Sequence, residues 1–165
     1  MRGGLATIVL AACLIAGCGG DMEQAAAPAP KKEAKPVAVP AKKKSGRSTF
    51  VKVRKTDYGQ ILTDGKGRAL YLFGKEKTTR SECYGACAKA WPVFYAKGEP
   101  KAGTGLKQKL LGTTKRGDGR SMVTYNGHPL YYYVTDTKPG QVTCQNVDEY
   151  GGKWRVVAPS GQAIL

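Results

Sequence analysis

Residues 50–165 predict a mainly β fold, a compact antiparallel sheet or sandwich domain. Three observations predict it: short alternating apolar runs bounded by turn residues, two hairpin-like segments, and almost no helical periodicity. ILTDGKGRALYLF predicts strand, turn and strand, with Asp64-Gly65 and Lys66-Gly67 supplying positive-φ positions. MVTYNGHPLYYYV predicts the same around Asn126-Gly127, a strong hairpin signal. Helical turns are expected only in SECYGACAKAW and GLKQKLLG.

The two hairpin segments are copies of one unit. A shift of 60 residues superimposes Gly67, Leu70, Tyr71, Phe73 and Glu76 on Gly127, Leu130, Tyr131, Tyr133 and Asp136. Three residues of slippage further on, Trp91 and Val93 fall on Trp154 and Val156. Each repeat therefore consists of a hairpin, a variable loop and a Trp-led strand, with repeat 1 at about residues 56–96 and repeat 2 at about 117–161. Because a lone hairpin is marginal in water, we expect the two units to share one core.

The aromatic strand of each repeat is expected to be covered on both sides. Side chains alternate across a strand, so Tyr71 and Phe73 oppose the leucines at 70 and 72. Tyr131 and Tyr133 are arranged in the same way in the second repeat. Both faces are apolar or aromatic, which predicts core packing with the tyrosine hydroxyls at the rim.

The N-terminus predicts export and lipid attachment. Residues 1–17 have one positive charge followed by an apolar run at residues 5–16, which is too short for a lasting membrane span and typical of a signal peptide. Ile15-Ala16-Gly17-Cys18 resembles the bacterial lipobox, so we expect Cys18 to become the lipidated N-terminus, with more than one acyl chain for stable anchoring. The alternative is an ordinary secretory signal in which Cys18 is incidental.

The segment 18–49 predicts a disordered tether, because it is dominated by Ala, Pro and Lys and cannot bury a core. The net charge of the chain is +15. Residues 50–165 carry 19 Lys/Arg and 9 Asp/Glu, a net of +10, and residues 19–49 carry 7 and 3, a net of +4. A basic domain outside the cytoplasm favours an anionic envelope polymer as partner, and no motif indicates specific nucleic-acid binding.

The domain resembles the bacterial predicted lipoproteins described as a secreted repeat of unknown function, which carry a Tyr-x-aromatic-x-x-Asp motif. The resemblance covers roughly residues 56–161 and lies in GRALYLFGKE, CYGACAKAWPVF, DGRSMVTYNGHPLYYYVTDTKPG and GGKWRVVAPSG. The second motif copy is complete as Tyr131, Tyr133 and Asp136; the first has Tyr71 and Phe73 but Glu76 in place of Asp. The resemblance implies membership of this family and a location outside the cytoplasm, but it implies no activity.

Three cysteines remain in the domain once Cys13 leaves with the signal peptide and Cys18 takes lipid: Cys83, Cys87 and Cys144. Oxidising surroundings predict one disulfide, and three pairings are open. A Cys83–Cys87 bridge requires irregular backbone, which Gly85 permits. The family resemblance implies that pairing, with Cys144 as the rival partner. These cysteines either form a structural disulfide or serve a redox, metal-binding or haem-binding role.

Other reactive groups are sparse. The single histidine, His128, follows the Asn-Gly turn and aligns with Arg68, which favours an exposed hairpin tip over a catalytic base. A copper site of His128, Met122 and a cysteine is conceivable in ligand chemistry, but the spacing does not bring them together. Glu76 and Asp136 hold equivalent positions: they are either a hydrolase-like pair or, as we expect, caps that accept backbone N–H bonds from the following turn.

The sequence contains no Gly-x-Ser-x-Gly elbow, His-Glu-x-x-His pair or phosphate loop. We therefore expect no catalytic residue, resident metal or cofactor. The predicted function is a lipid-anchored module on the extracytoplasmic face of a bacterial membrane, a non-enzymatic binding or envelope-structural protein. The alternative is an extracytoplasmic redox or metal-handling protein, for copper or haem, that uses the domain cysteines.

Overall fold

A computed structural model describes residues 48–165 of the chain. The predicted signal peptide at 1–17, the lipidation site Cys18 and the tether up to residue 47 lie outside the described residues. Thr49, which the sequence assigns to the tether, is buried. Its hydroxyl accepts a bond from the Lys97 backbone N–H at 2.6 Å, and its carbonyl accepts one from the Lys101 N–H at 2.8 Å. The ordered fold therefore includes Thr49.

The described residues form nine short strands, one α-helix and one 3-10 turn. In chain order these are β1 Phe50–Thr56, β2 Gly59–Asp64, β3 Tyr71–Phe73, α1 Ala86–Ala90, β4 Lys101–Ala102, a 3-10 turn Gln108–Leu110, β5 Leu111–Lys115, β6 Ser121–Tyr125, β7 His128–Pro129, β8 Val147–Glu149 and β9 Gly152–Val156. They make three three-stranded sheets, ordered β2-β1-β4, β3-β9-β8 and β5-β6-β7. Every pairing between these strands is antiparallel except β1 with β4. The mainly β prediction is confirmed.

The two predicted hairpins turn differently. In the second, β6 and β7 pair across Asn126 and Gly127, with φ of 49° and 80°, the primed geometry that suits strand twist. In the first, the Asp64 N–H donates to the Arg68 carbonyl at 2.9 Å, and only one bridge, between Thr63 and Ala69, continues the hairpin. Gly67 has φ of 89°, whereas Gly65 is not in the positive-φ region, so that part of the prediction was wrong.

The aromatic strands cross from one repeat to the other. β3 pairs with β9 of the second repeat, setting Tyr71 opposite Val156. The equivalent Tyr131 forms a bridge with Val93 of the first repeat. Tyr71 and Tyr131 also exchange backbone bonds, each N–H donating to the other's carbonyl at 2.9 Å. The repeats are therefore interlocked at their motifs rather than stacked side by side.

A column of four aromatic rings runs through this crossing. Phe73 stacks on Trp154 with centroids 4.2 Å apart, Trp154 stacks on Trp91 at 4.0 Å, and Trp91 packs against Tyr133 at 4.6 Å. The column alternates between repeats, so its packing energy depends on both being present. Contacts between neighbouring rings contribute free energy beyond that of burying the rings.

Of the two predicted helical segments, one is a helix and the other is largely not. The helix in SECYGACAKAW is present as α1. GLKQKLLG holds only the three-residue 3-10 turn before β5 begins at Leu111. Across residues 48–165, no helix is long and apolar enough to cross a membrane.

Candidate functional site

The motif tyrosine of each repeat bonds the motif carboxylate of the other. The Tyr71 hydroxyl donates a short hydrogen bond to Asp136, and the Tyr131 hydroxyl donates to Glu76 at 2.5 Å. All four side chains are buried, Asp136 completely. The hydroxyls of Tyr71 and Tyr131 therefore end at buried carboxylates. For these two residues the prediction of hydroxyls at the rim was wrong, because each strand runs into the opposite repeat.

Each motif carboxylate also holds the loop that follows it. Asp136 accepts bonds from the backbone N–H and the hydroxyl of Thr143, at 3.0 and 2.6 Å. Glu76 accepts one from the Glu82 backbone N–H at 2.7 Å. The expected bonding to backbone N–H groups is present, but its donors lie six and seven residues along the chain rather than in the adjacent turn. Such bonds fix a loop without requiring any chemistry of the carboxylates.

The two carboxylates differ in hydrogen bonding, because Glu76 has one oxygen without a partner among the described residues, whereas both oxygens of Asp136 are bonded. Burial raises the pKa of Glu76 to about 7, against the opposing effects of the Tyr131 and Glu82 bonds and of the nearby Arg116 charge. Burial and the neighbouring carboxylates raise the pKa of both Tyr71 and Tyr131, so the phenols stay protonated and act as donors.

Arg116 links the Glu76 site to the disulfide loop. Its guanidinium donates a short bond to the Ser81 hydroxyl and another to the Cys83 carbonyl at 2.8 Å, and lies 4.2 Å from the centroid of the Tyr84 ring. The Ser81 hydroxyl in turn contacts the Tyr131 hydroxyl at 2.7 Å. The sequence did not single out Arg116 or Ser81, since no motif connects residues 35 positions apart.

The disulfide joins Cys83 and Cys87, the pairing that the family resemblance implies. The Cα atoms are 5.3 Å apart, and Gly85 between them has φ of 57°, which supplies the irregular backbone. Cys144 is buried as a free thiol. Burial raises its pKa, which keeps it protonated and a poor nucleophile. The bridge alone is no evidence of redox function.

The other candidate metal ligands, Met122 and His128, do not form part of a metal site within the described residues. Met122 is fully buried in the core, and His128 lies on β7 opposite Tyr125. Partial burial and the charge of Lys77 lower the pKa of His128, so its imidazole is neutral near pH 7. Within residues 48–165, no group of three or more His, Cys, Asp or Glu side chains is placed to hold a metal ion.

Two segments of the chain, residues 52–95 and 112–158, match the model of a family described as a secreted repeat of unknown function. The chain belongs to that secreted-repeat family. The matched segments contain the two motif copies that interlock in the structure. No curated protein and no solved structure matches the chain.

Membership of the secreted-repeat family confirms the resemblance read from the sequence, and it indicates an extracytoplasmic location. It assigns no catalytic activity. The motif that marks this chain is, in the structure, a set of four buried side chains bonded across the repeats. Its geometry explains why phenol and carboxylate recur together: each copy supplies the donor for one bond and the acceptor for the other.

Proposed function

We propose that this protein is a lipid-anchored, extracytoplasmic binding or envelope-structural module without enzymatic activity. The observation that carries the proposal is the bonding of the two tyrosine–carboxylate pairs: all four side chains are buried and bond to the opposite repeat or to the following loop. Only one oxygen, on Glu76, has no partner among the described residues. A motif built into the core in this way stabilises a scaffold. Interaction with partners is then left to the surface.

The surface supports an anionic partner. Residues 50–165 carry a net charge of +10, and among the described residues only four cation–carboxylate pairs form, two of them on Asp118. Most lysines and arginines are therefore free to meet an anionic polymer of the envelope. Exposed charges attract such polymers at long range in dilute salt.

Retention on immobilised teichoic polymer tests the partner. The full chain, purified in detergent, should be retained at low salt and released as the Debye length shrinks from about 30 Å at 0.01 M to about 3 Å at 1 M. A protein that flows through at low salt would overturn the anionic-partner part of the proposal.

Mass spectrometry of the mature chain tests the anchor. We expect a chain that begins at Cys18 and carries the added mass of its acyl groups, which stable anchoring requires. Cys18→Ala should abolish both the added mass and membrane retention, whereas the control Cys13→Ala should leave them intact. An unmodified mature chain would show an ordinary secretory signal instead.

A further inference from the structure

An open groove on the domain surface gathers cations and aromatic rings from four parts of the chain. It encloses about 750 Å³, and its walls include Phe50, Lys66, Arg68, Tyr95, Lys97 and Tyr132. Phe50 begins β1, Lys66 and Arg68 belong to the first hairpin turn, and Tyr132 follows the motif tyrosine Tyr131. The groove lies outside the buried motif pairs.

Arg68 is held rigidly at this groove. Its guanidinium lies 4.3 Å from the centroid of the Tyr132 ring. It also donates to the carbonyls of Tyr133 at 2.6 Å and Asp136 at 2.8 Å, which are neutral acceptors that leave its charge uncompensated. A fixed guanidinium loses little conformational entropy when it binds an anion.

The groove keeps a positive charge. Among residues 48–165, no carboxylate lies within ion-pair distance of Lys66, Arg68 or Lys97. The one acid in the lining, Asp64, accepts bonds from the backbone N–H groups of Lys66 and Arg68 at 2.9 and 3.0 Å and from the Tyr132 hydroxyl at 3.1 Å. Three cations and one carboxylate that is already hydrogen-bonded favour an anionic ligand. The segment 19–49 of this chain is itself positively charged and is therefore not a suitable ligand for the groove.

The aromatic rings distinguish between classes of polyanion. Phe50 is 46% exposed, whereas Arg68 covers Tyr132 and Arg120 lies 3.7 Å from the centroid of Tyr95. Single-stranded nucleic acids are bound on successive stacking platforms, and one free ring does not provide them. One ring beside three cations suits a sugar, whose C–H face packs on the negative face of a ring while its acidic groups meet the cations.

We infer that this groove binds a segment of an acidic glycan, a sugar chain that bears carboxylate or phosphate groups. The inference deepens the proposed function and rests on its anionic partner. The sugar packs on Phe50, and its acidic groups pair with Arg68, Lys66 and Lys97.

Binding of polygalacturonate to the detergent-purified full chain tests the site. The double variant K66Q/K97Q, which leaves the structural bonds of Arg68 intact, should weaken binding on the order of tenfold at low salt. The matched control K107Q/K109Q removes the same charge from exposed lysines outside the groove and should change binding by less than about twofold. Equal weakening by both pairs would overturn the site while leaving the proposed function standing.

Phe50→Ala tests the sugar contact separately. It should weaken binding of polygalacturonate but not of inorganic polyphosphate, which has no sugar face. Equal effects on both polymers, or tighter binding of single-stranded DNA than of polygalacturonate, would overturn the assignment of a glycan. A teichoic polymer that carries glycosyl rings, tested alongside polygalacturonate, shows whether phosphate or carboxylate supplies the acidic groups. Failure of the wild type to bind any of these polymers would overturn the anionic partner itself.

Discussion

Removal of the Tyr71 hydroxyl should destabilise the domain more than its size suggests. Tyr71→Phe keeps the ring, including its edge contact with Trp91 at a centroid distance of 5.2 Å, and deletes only the donor to Asp136. The backbone of Tyr71 and its bonds to Tyr131 are unchanged by the substitution. The variant therefore measures the bond between the repeats.

The expected loss follows from the burial of Asp136. Its side chain is 0% exposed, and the oxygen that faces Tyr71 has no other hydrogen-bond partner in the described part of the chain. Hydrogen bonds to charged groups contribute about 1.5–3 kcal/mol, and water cannot replace this donor in a closed site. We expect a loss of about 2–3 kcal/mol, near 10 °C in Tm at about 4 °C per kcal/mol for a domain of this size.

Urea unfolding followed by tryptophan fluorescence provides the assay, since Trp91 and Trp154 are both fully buried. Tyr58→Phe is the matched control, because Tyr58 is 44% exposed and its hydroxyl has no partner among residues 48–165. It should change stability by less than about 0.5 kcal/mol. A cycle with Asp136→Asn should give a coupling energy above about 1 kcal/mol.

A Tyr71→Phe variant as stable as the Tyr58→Phe control would refute the reasoning. It would mean that the bonds from Thr143 alone satisfy Asp136 and that the contact between repeats contributes no free energy. A coupling energy near zero would lead to the same conclusion even if both single variants were destabilised.

Two further predictions concern Glu76 and Gly161. The pKa of Glu76 is raised to about 7, so its contribution to stability is present in full below its ordinary pKa and is lost as the pH rises through 7. The stability of Glu76→Gln relative to wild type should therefore increase by up to about 3 kcal/mol from pH 4.5 to 8. A pH-independent difference in urea unfolding, as expected for the exposed Glu99→Gln, would contradict this. Gly161→Ala places a Cβ 2.3 Å from the Cβ of Asn126, whereas Gly59→Ala has the same φ of +88° in open space. Gly161→Ala should therefore cost about 1–3 kcal/mol more in the same assay, and equal losses would show that the backbone relaxes freely.

Local signals made part of the fold predictable. Asn126-Gly127 predicted its hairpin because both residues accept positive φ. β1 was not assigned, although Val51 and Val53 alternate with cations, a pattern that indicates a strand. The two-residue β4 has no detectable signal, since it exists only through its parallel pairing with β1. The groove was missed because its residues come from segments that are distant in the sequence.

The sequence by itself determined the repeat, its motif spacing and the cysteines available for a bridge, because these are properties of local composition and of comparison along one chain. Tertiary structure alone decided that Tyr71 bonds Asp136 rather than Glu76, which is five residues away in its own repeat. Sequence spacing cannot distinguish a partner within a repeat from its twin in the other copy. The pairing follows from the bridge between Tyr71 and Tyr131, which brings the segment that ends at Asp136 beside the phenol, where burial makes the bond obligatory.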